Sequence, residues 1–79
     1  MPRFFFDIHD GRNERDDEGT LCDDVQAAAL EAKLLLPEIA KYEVPKDGER
    51  QTITVLVTDE EGHPVYSAAL CFVGTWLLR

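Results

Sequence analysis

One stretch of this 79-residue chain repeats its apolar residues with the period of a helix, and segments with the period of a strand flank it. From Val25 onward, Ala28, Ala29, Ala32, Leu35, Leu36 and Ile39 return to one face of a 3.6-residue spiral. Earlier, Phe4, Phe6 and Ile8 alternate with Phe5, Asp7 and His9. Later, Ile53, Val55 and Val57 alternate with Thr52, Thr54 and Thr58. Alternation of this kind belongs to strands with one buried face. A lone amphipathic helix must bury its stripe against something, and the apolar faces of the strands are what the chain offers. The expected fold is α+β: β-β-α-β-β, a four-stranded antiparallel sheet with one helix on one face, forming a single domain over residues 1–79.

The boundaries follow from turn chemistry. Asp10-Gly11 is a hairpin-type signal. Residues 12–22 hold few β-formers and are interrupted by "RDDEG", which predicts a short, irregular second strand ending near Leu21. Gly19 fits a bulge or turn position because it tolerates positive φ. Asp23 or Asp24 supplies an N-cap oxygen, with Gln26 placed to complete a capping box from Asp23. Pro37 interrupts the helical stripe. Its ring removes the bond back to residue 33, worth about 3 kcal/mol in a helix interior, so a kink is expected there, or a break with a second short turn. "PKDGER" over 45–50 reads as a loop and "DEEGHP" as a turn. In the last strand, 65–73, the bulkier alternate set of Tyr66, Ala68, Leu70 and Phe72 is expected to face the helix.

Charge narrows the function. Sixteen acidic residues against eight basic ones give a net charge of −8. The bases are scattered, so nothing here attracts a phosphate backbone, and no nucleic-acid partner is expected. The start lacks the apolar core of a signal peptide, and no run approaches the ~20 apolar residues of a membrane span. The expectation is a cytoplasmic protein without a membrane partner, with Cys22 and Cys71 as reduced, half-buried thiols.

The motifs also resemble a family. "PRFFFDIHDG", "RDDEGTLCDD", an Ala-rich helix and "VLVTDEEGHPV" are similar to a family of short uncharacterised bacterial proteins, found mainly in alpha-proteobacteria. Its members open on PR-(Y/F)-F-F-D-x-H-D-G, carry a D-E-x-G turn and close on a D-x-x-G-x-P hairpin. The likeness spans Pro2 to about Phe72. It implies no established activity and supplies no catalytic residues. Asp23 stands where the family pattern has a helix-entry Pro, and Pro37 is a second departure.

Several constellations invite chemistry. Asp16, Asp17 and Glu18 form one acidic turn; Asp59, Glu60, Glu61 and His63 form another. Both could lie at one end of the sheet, and oxygen-rich loops suit Ca²⁺ or Mg²⁺. Neither has the EF-hand spacing, and Asp caps with glycines explain both as turns. His9-Asp10 could begin a metal site, but His63 is the only other histidine and a zinc set would need Cys22 or Cys71. A strand-end His followed by a turn-capping Asp is the expected role. Ser67 lies mid-strand without a nucleophile elbow, and Cys71 sits in an apolar strand that disfavours its thiolate. No enzyme activity, cofactor or metal is expected.

What remains is surface for partners. Leu30 and Leu34 lie about 140° and 180° around the helix from Val25, off the core face. Trp76, Leu77 and Leu78 are more apolar than a free tail, unless that tail folds back on its own sheet. These five are the candidate interface. A chain this short buries only ~60% of its unfolded surface, which makes self-association as a homodimer reasonable. The expected function is a small acidic interaction or regulatory module, homodimeric, with an unidentified protein partner. The alternative is a domain that binds a divalent cation or small ligand through its acidic turns.

Overall fold

The structure, a computed structural model, describes residues 1–46 and 48–78. Its elements are β1 (Arg3–His9), β2 (Asn13–Glu14), β3 (Thr20–Leu21), α1 (Val25–Glu43), a 3₁₀ turn (Val44–Lys46), β4 (Arg50–Thr58) and β5 (Pro64–Val73). All pairings are antiparallel, and the order across the sheet is β2-β1-β4-β5, with β3 also on β1. The sheet therefore has five strands where the sequence predicts four.

The difference lies entirely in the irregular second strand. It is two fragments on the same edge of β1: Asn13–Glu14 beside Ile8 and His9, and Thr20–Leu21 beside Arg3 and Phe4. The four-residue step from Phe4 to Ile8 faces a six-residue step from Glu14 to Thr20, so the intervening residues bulge out of the ladder. Gly19 makes the re-entry possible. It holds φ +73°, and a Cβ there would stand 2.7 Å from Arg3 Cγ and 2.9 Å from the Phe4 carbonyl oxygen. Both the backbone conformation and the lack of space demand glycine.

Asp24 is the N-cap of α1, its Oδ1 accepting from the Ala27 N–H at 2.8 Å. The capping box built on Asp23 and Gln26 is therefore not the one used, because Gln26 falls one place short of the third helical position. Ala28, Ala32 and Leu36 are buried, whereas Val25, expected on the same stripe, is 41% exposed. Val25 opens the helix beside the exposed Asp23 and Asp24, short of where the sheet covers it.

The helix runs through Pro37 without a break and ends at Glu43, so no second turn begins there. Lys33 and Pro37 are both exposed, which leaves the released Lys33 carbonyl to water. Leu35, Leu36, Ile39 and Ala40, on either side of Pro37, pack into one core and hold the segment helical. The predicted 45–50 loop is in part the 3₁₀ turn, and Asp47 within it lies outside the described residues.

α1 lies across β4 and β5. Beneath it, Ile53, Val55 and Val57 are the largest fully buried side chains, flanked by Phe4 and Phe6 from β1. Tyr66, Ala68, Leu70 and Phe72 stand opposite Val57, Val55, Ile53 and Gln51, on the helix side as expected. Only the first two pack into the core; Leu70 and Phe72 are each 38% exposed. No described helix is long and apolar enough to cross a membrane.

Replacing Pro37 with Ala restores the missing bond at an exposed site. The expected gain is about 2 kcal/mol, which for a domain of this size raises the thermal midpoint by roughly 10 °C. Calorimetry on the two proteins checks it, and an unchanged midpoint would show that the helix already accommodates the ring.

Candidate interaction edge and the acidic end of the sheet

The two outer edges of the sheet are built in opposite ways. On the β1 edge, the bulge between β3 and β2 leaves the outward amide of Phe6 with no strand opposite. Asp16 supplies what the ladder lacks. Its Oδ2 accepts the Phe6 N–H at 3.1 Å, and its Oδ1 accepts the Glu18 and Gly19 N–H groups at 3.1 and 3.0 Å. Asp7 reciprocates, its Oδ1 accepting the Asp16 N–H at 2.9 Å. Arg3 closes the loop by donating to the Glu18 carbonyl. Partial burial pushes the Asp16 carboxyl up, but the N–H groups of Gly19, Phe6 and Glu18 together outweigh this and hold it below its ordinary value.

Asp59 repeats the device in the second acidic turn, its Oδ1 accepting from the Glu61 and His63 N–H groups, both at 2.9 Å. Both acidic turns do come to the same end of the sheet. Asp7, Asp16, Asp17, Asp59 and Glu60, with Arg15 among them, border a shallow depression of about 280 Å³. Among the described residues, one group could meet on a metal ion: Asp59, Glu61 and His63, with ligand atoms within 4.8 Å of one another. His9 is elsewhere. Its Nδ1 lies 2.6 Å from Asn13 Oδ1, and the Asp10 N–H donates to the Arg12 carbonyl in the first hairpin. The turn-capping role expected of the Asp10 side chain is not found, its Oδ1 being buried without a hydrogen-bond partner. The thiols differ from expectation. Cys22 is buried, its thiol pushed up by burial and then by Glu31, Asp23 and Asp24, while Cys71 is exposed; both are free.

The β5 edge is protected only at its start, by Pro64 and the irregular pairing between Pro64 and Tyr66. No described strand pairs with its outer side. From Pro64 to Leu78 the sequence has no charged residue, and the run is bounded by His63 and Arg79. The Gly74 N–H donates to the Glu49 carbonyl at 2.7 Å, carrying the β4–β5 ladder one residue past Val73. Hydrogen-bonded pairs alternate in antiparallel sheets. The even residues of β5 therefore bond inward to β4, and Ser67, Ala69, Cys71 and Val73 turn their amides and carbonyls outward.

Beyond Gly74 the chain leaves the body. Trp76, Leu77 and Leu78 are 76%, 88% and 83% exposed, so the tail does not fold back on its own sheet. The molecule measures 54 × 21 × 17 Å, with a radius of gyration of 14.4 Å. A compact chain of this length would have a radius of roughly 12 Å. Leu30 and Leu34 are also exposed, at 56% and 59%, on the outer side of α1. They lie in its first half and at its midpoint, whereas the tail leaves from the end where Val73 meets Arg50 and the helix finishes. The five candidate interface residues thus form two separate patches. Sequence reasoning missed the edge residues 67, 69, 71 and 73; the uncharged run from Pro64 was the available signal.

The family described as Domain of unknown function (DUF6894) matches residues 3–71. No curated protein and no solved structure matches the chain.

Asp16→Asn keeps one acceptor oxygen and turns an NH₂ group toward an N–H. At neutral pH the expected loss is about 1–3 kcal/mol. The carboxyl is held below its ordinary value in the fold, so its contribution is present above the unfolded value of ~3.9 and disappears as pH falls through the folded value. Denaturant titrations should show the gap between the two proteins closing below about pH 4. A gap that stays constant down to pH 2 would remove the carboxylate from this role.

Proposed function

We propose that this chain, which belongs to the DUF6894 family of domains of unknown function, is a protein-interaction module that docks a partner strand along its β5 edge. The observation that carries this is the contrast between its two edges. The β1 edge is cut into two-residue pieces and ringed by Asp16, Asp17 and Glu18, the means by which sheets avoid pairing with other chains. The β5 edge is ten residues long and uncharged, with a projecting apolar arm. Strand addition takes its affinity from main-chain bonds and its selectivity from alternate side chains. Here the selecting side chains are Leu70 and Phe72 on the helix side and Cys71 and Val73 on the other. Trp76 is the kind of residue that anchors an interface.

The acidic turns support a second reading less well. Asp59, Glu61 and His63 converge, but one Asp59 oxygen is already committed to two backbone amides. If these turns only shape the loop, millimolar Ca²⁺ or Mg²⁺ leaves the thermal midpoint where it was. A saturable rise, abolished by Glu61→Gln, would favour the cation reading.

A photoreactive residue placed at Ala69, on the free edge, tests the docking reading in the native cell, with the same residue at Asn13 as the comparison. Covalent adducts to a protein are expected at 69 and not at 13. No adduct at 69, to any chain, would defeat the interaction reading.

A further inference from the structure

We infer that the strand docked on β5 is the β5 of a second copy, paired antiparallel about a two-fold axis at Cys71. This rests on the reading of β5 as a docking edge and commits it to one occupant.

Charge comes first. Two molecules of net charge −8 repel wherever acids face each other, and the uncharged segment from Pro64 to Leu78 is where they can approach. The flank of α1 agrees. Glu31 and Glu38 line grooves on the β1 side of the helix, with Phe6 and Ile8. The groove on the β5 side, about 200 Å³, is bordered instead by Ala40, Val44, Leu70 and Phe72. Along this groove an approaching copy meets apolar side chains, with the Glu49 carboxylate standing beyond it, beside Gly74.

Register follows from backbone parity and length. Outward-facing groups sit on odd residues, so a two-fold pairing must match odd with odd. The alignment that pairs the whole uncharged segment with itself matches residue 64 with 78, and its centre is Cys71. It sets Ala69 opposite Val73, both outward-bonding as the ladder requires, and Ser67 opposite Thr75. On the helix side, Phe72 of each copy meets the other's Leu70, and Trp76 meets Tyr66. The projecting arm thereby gains the surface that its own fold does not give it. An aromatic side chain of this size removes on the order of 150–250 Å² from water. Past the irregularity at Val65, the eleven residues from Tyr66 to Trp76 pair over about 37 Å at ~3.4 Å each.

Cys71 itself reports the axis. Opposed residues of a hydrogen-bonded pair have Cα atoms ~5.5 Å apart, within disulfide range. A single cysteine moved to 69 or 73 would stand about 14 Å from its copy, beyond reach. The experiment places single cysteines at 67, 69, 71 and 73, with Cys22→Ser throughout and Cys71→Ser in the other three, and oxidises each with diamide at micromolar concentration. Light scattering is run in parallel on the reduced protein.

The expected result is a species of twice the 8.9 kDa chain mass, with cross-linking fastest at 71. Trp76→Ser with Leu77→Ser changes only exposed residues and should shift the mass toward the single chain. If that variant does not fold, protection of the Ala69 and Val73 amides from hydrogen exchange in the unmodified protein reports the same pairing. A single-chain mass with fast exchange at those amides overturns the inference, as does cross-linking that peaks at 67, 69 or 73. Photo-adducts at 69 to other proteins alone would overturn self-pairing while leaving the docking reading intact. Absence of any adduct would remove both.

Discussion

Everything in this fold is arranged around the contact between a row of β-branched residues and a row of alanines. Ile53, Val55 and Val57 project from β4 into the face of α1 that carries Ala28 and Ala32, and all five are essentially removed from solvent. Small residues on the helix let it settle close to the sheet, and β-branched residues below fill the space without much rotamer entropy to lose. Because there is one helix, one face of the sheet is covered and the other stays open. Because β4 lies under the helix with β1 on one side and β5 on the other, the sheet ends in two edges. How each edge is treated is then the main structural choice left to the sequence.

The edge beside β1 shows how a carboxylate can stand in for a missing strand. Where the returning chain is two residues too long to pair, Asp16 turns inward, takes the Phe6 amide and caps its own loop with the remaining oxygen. Burying an amide without a partner is expensive, so the break is tolerable only with such a substitute. Acidic residues that look like ligands in sequence serve as backbone acceptors here. The same holds for Asp7 and, in the other turn, for Asp59. Their charge follows from their use as backbone acceptors, since an ionised carboxylate accepts several N–H bonds better than any neutral side chain.

Much of the architecture was legible because period and turn chemistry are local properties. The alternation at 4–8 and 52–58, the cap at Asp24, the bulge at Gly19 and the inward set on β5 all depend on near neighbours. What was not legible depends on distant ones. The split of the second strand is decided by where β1 needs an acceptor, which neither segment reveals alone. The continuity of α1 through Pro37 is decided by packing on both sides of it, which outweighs a propensity penalty. The edge position of β5 depends on sheet order, and alternation says nothing about order. For the candidate interface, the helix phase placed Leu30 and Leu34 correctly on the outside, and the apolar tail was visible as an anomaly. Their separation into two patches needed the three-dimensional course of the chain.

The gapped β1 edge also governs how far assembly can go. A sheet with two bare edges can add copies without limit and grows toward a fibre, since each addition presents the next template. Here one side is capped, and under the self-pairing proposed above the other is a single, self-complementary strip. Once that strip is used by a two-fold mate, the resulting particle presents only capped edges in both directions, so growth stops at two. Lengthening β2 and β3 into one continuous strand, by deleting the residues that bulge between them, would remove the stop. The same sequence change that tidies the fold would then turn a closed pair into an open polymer.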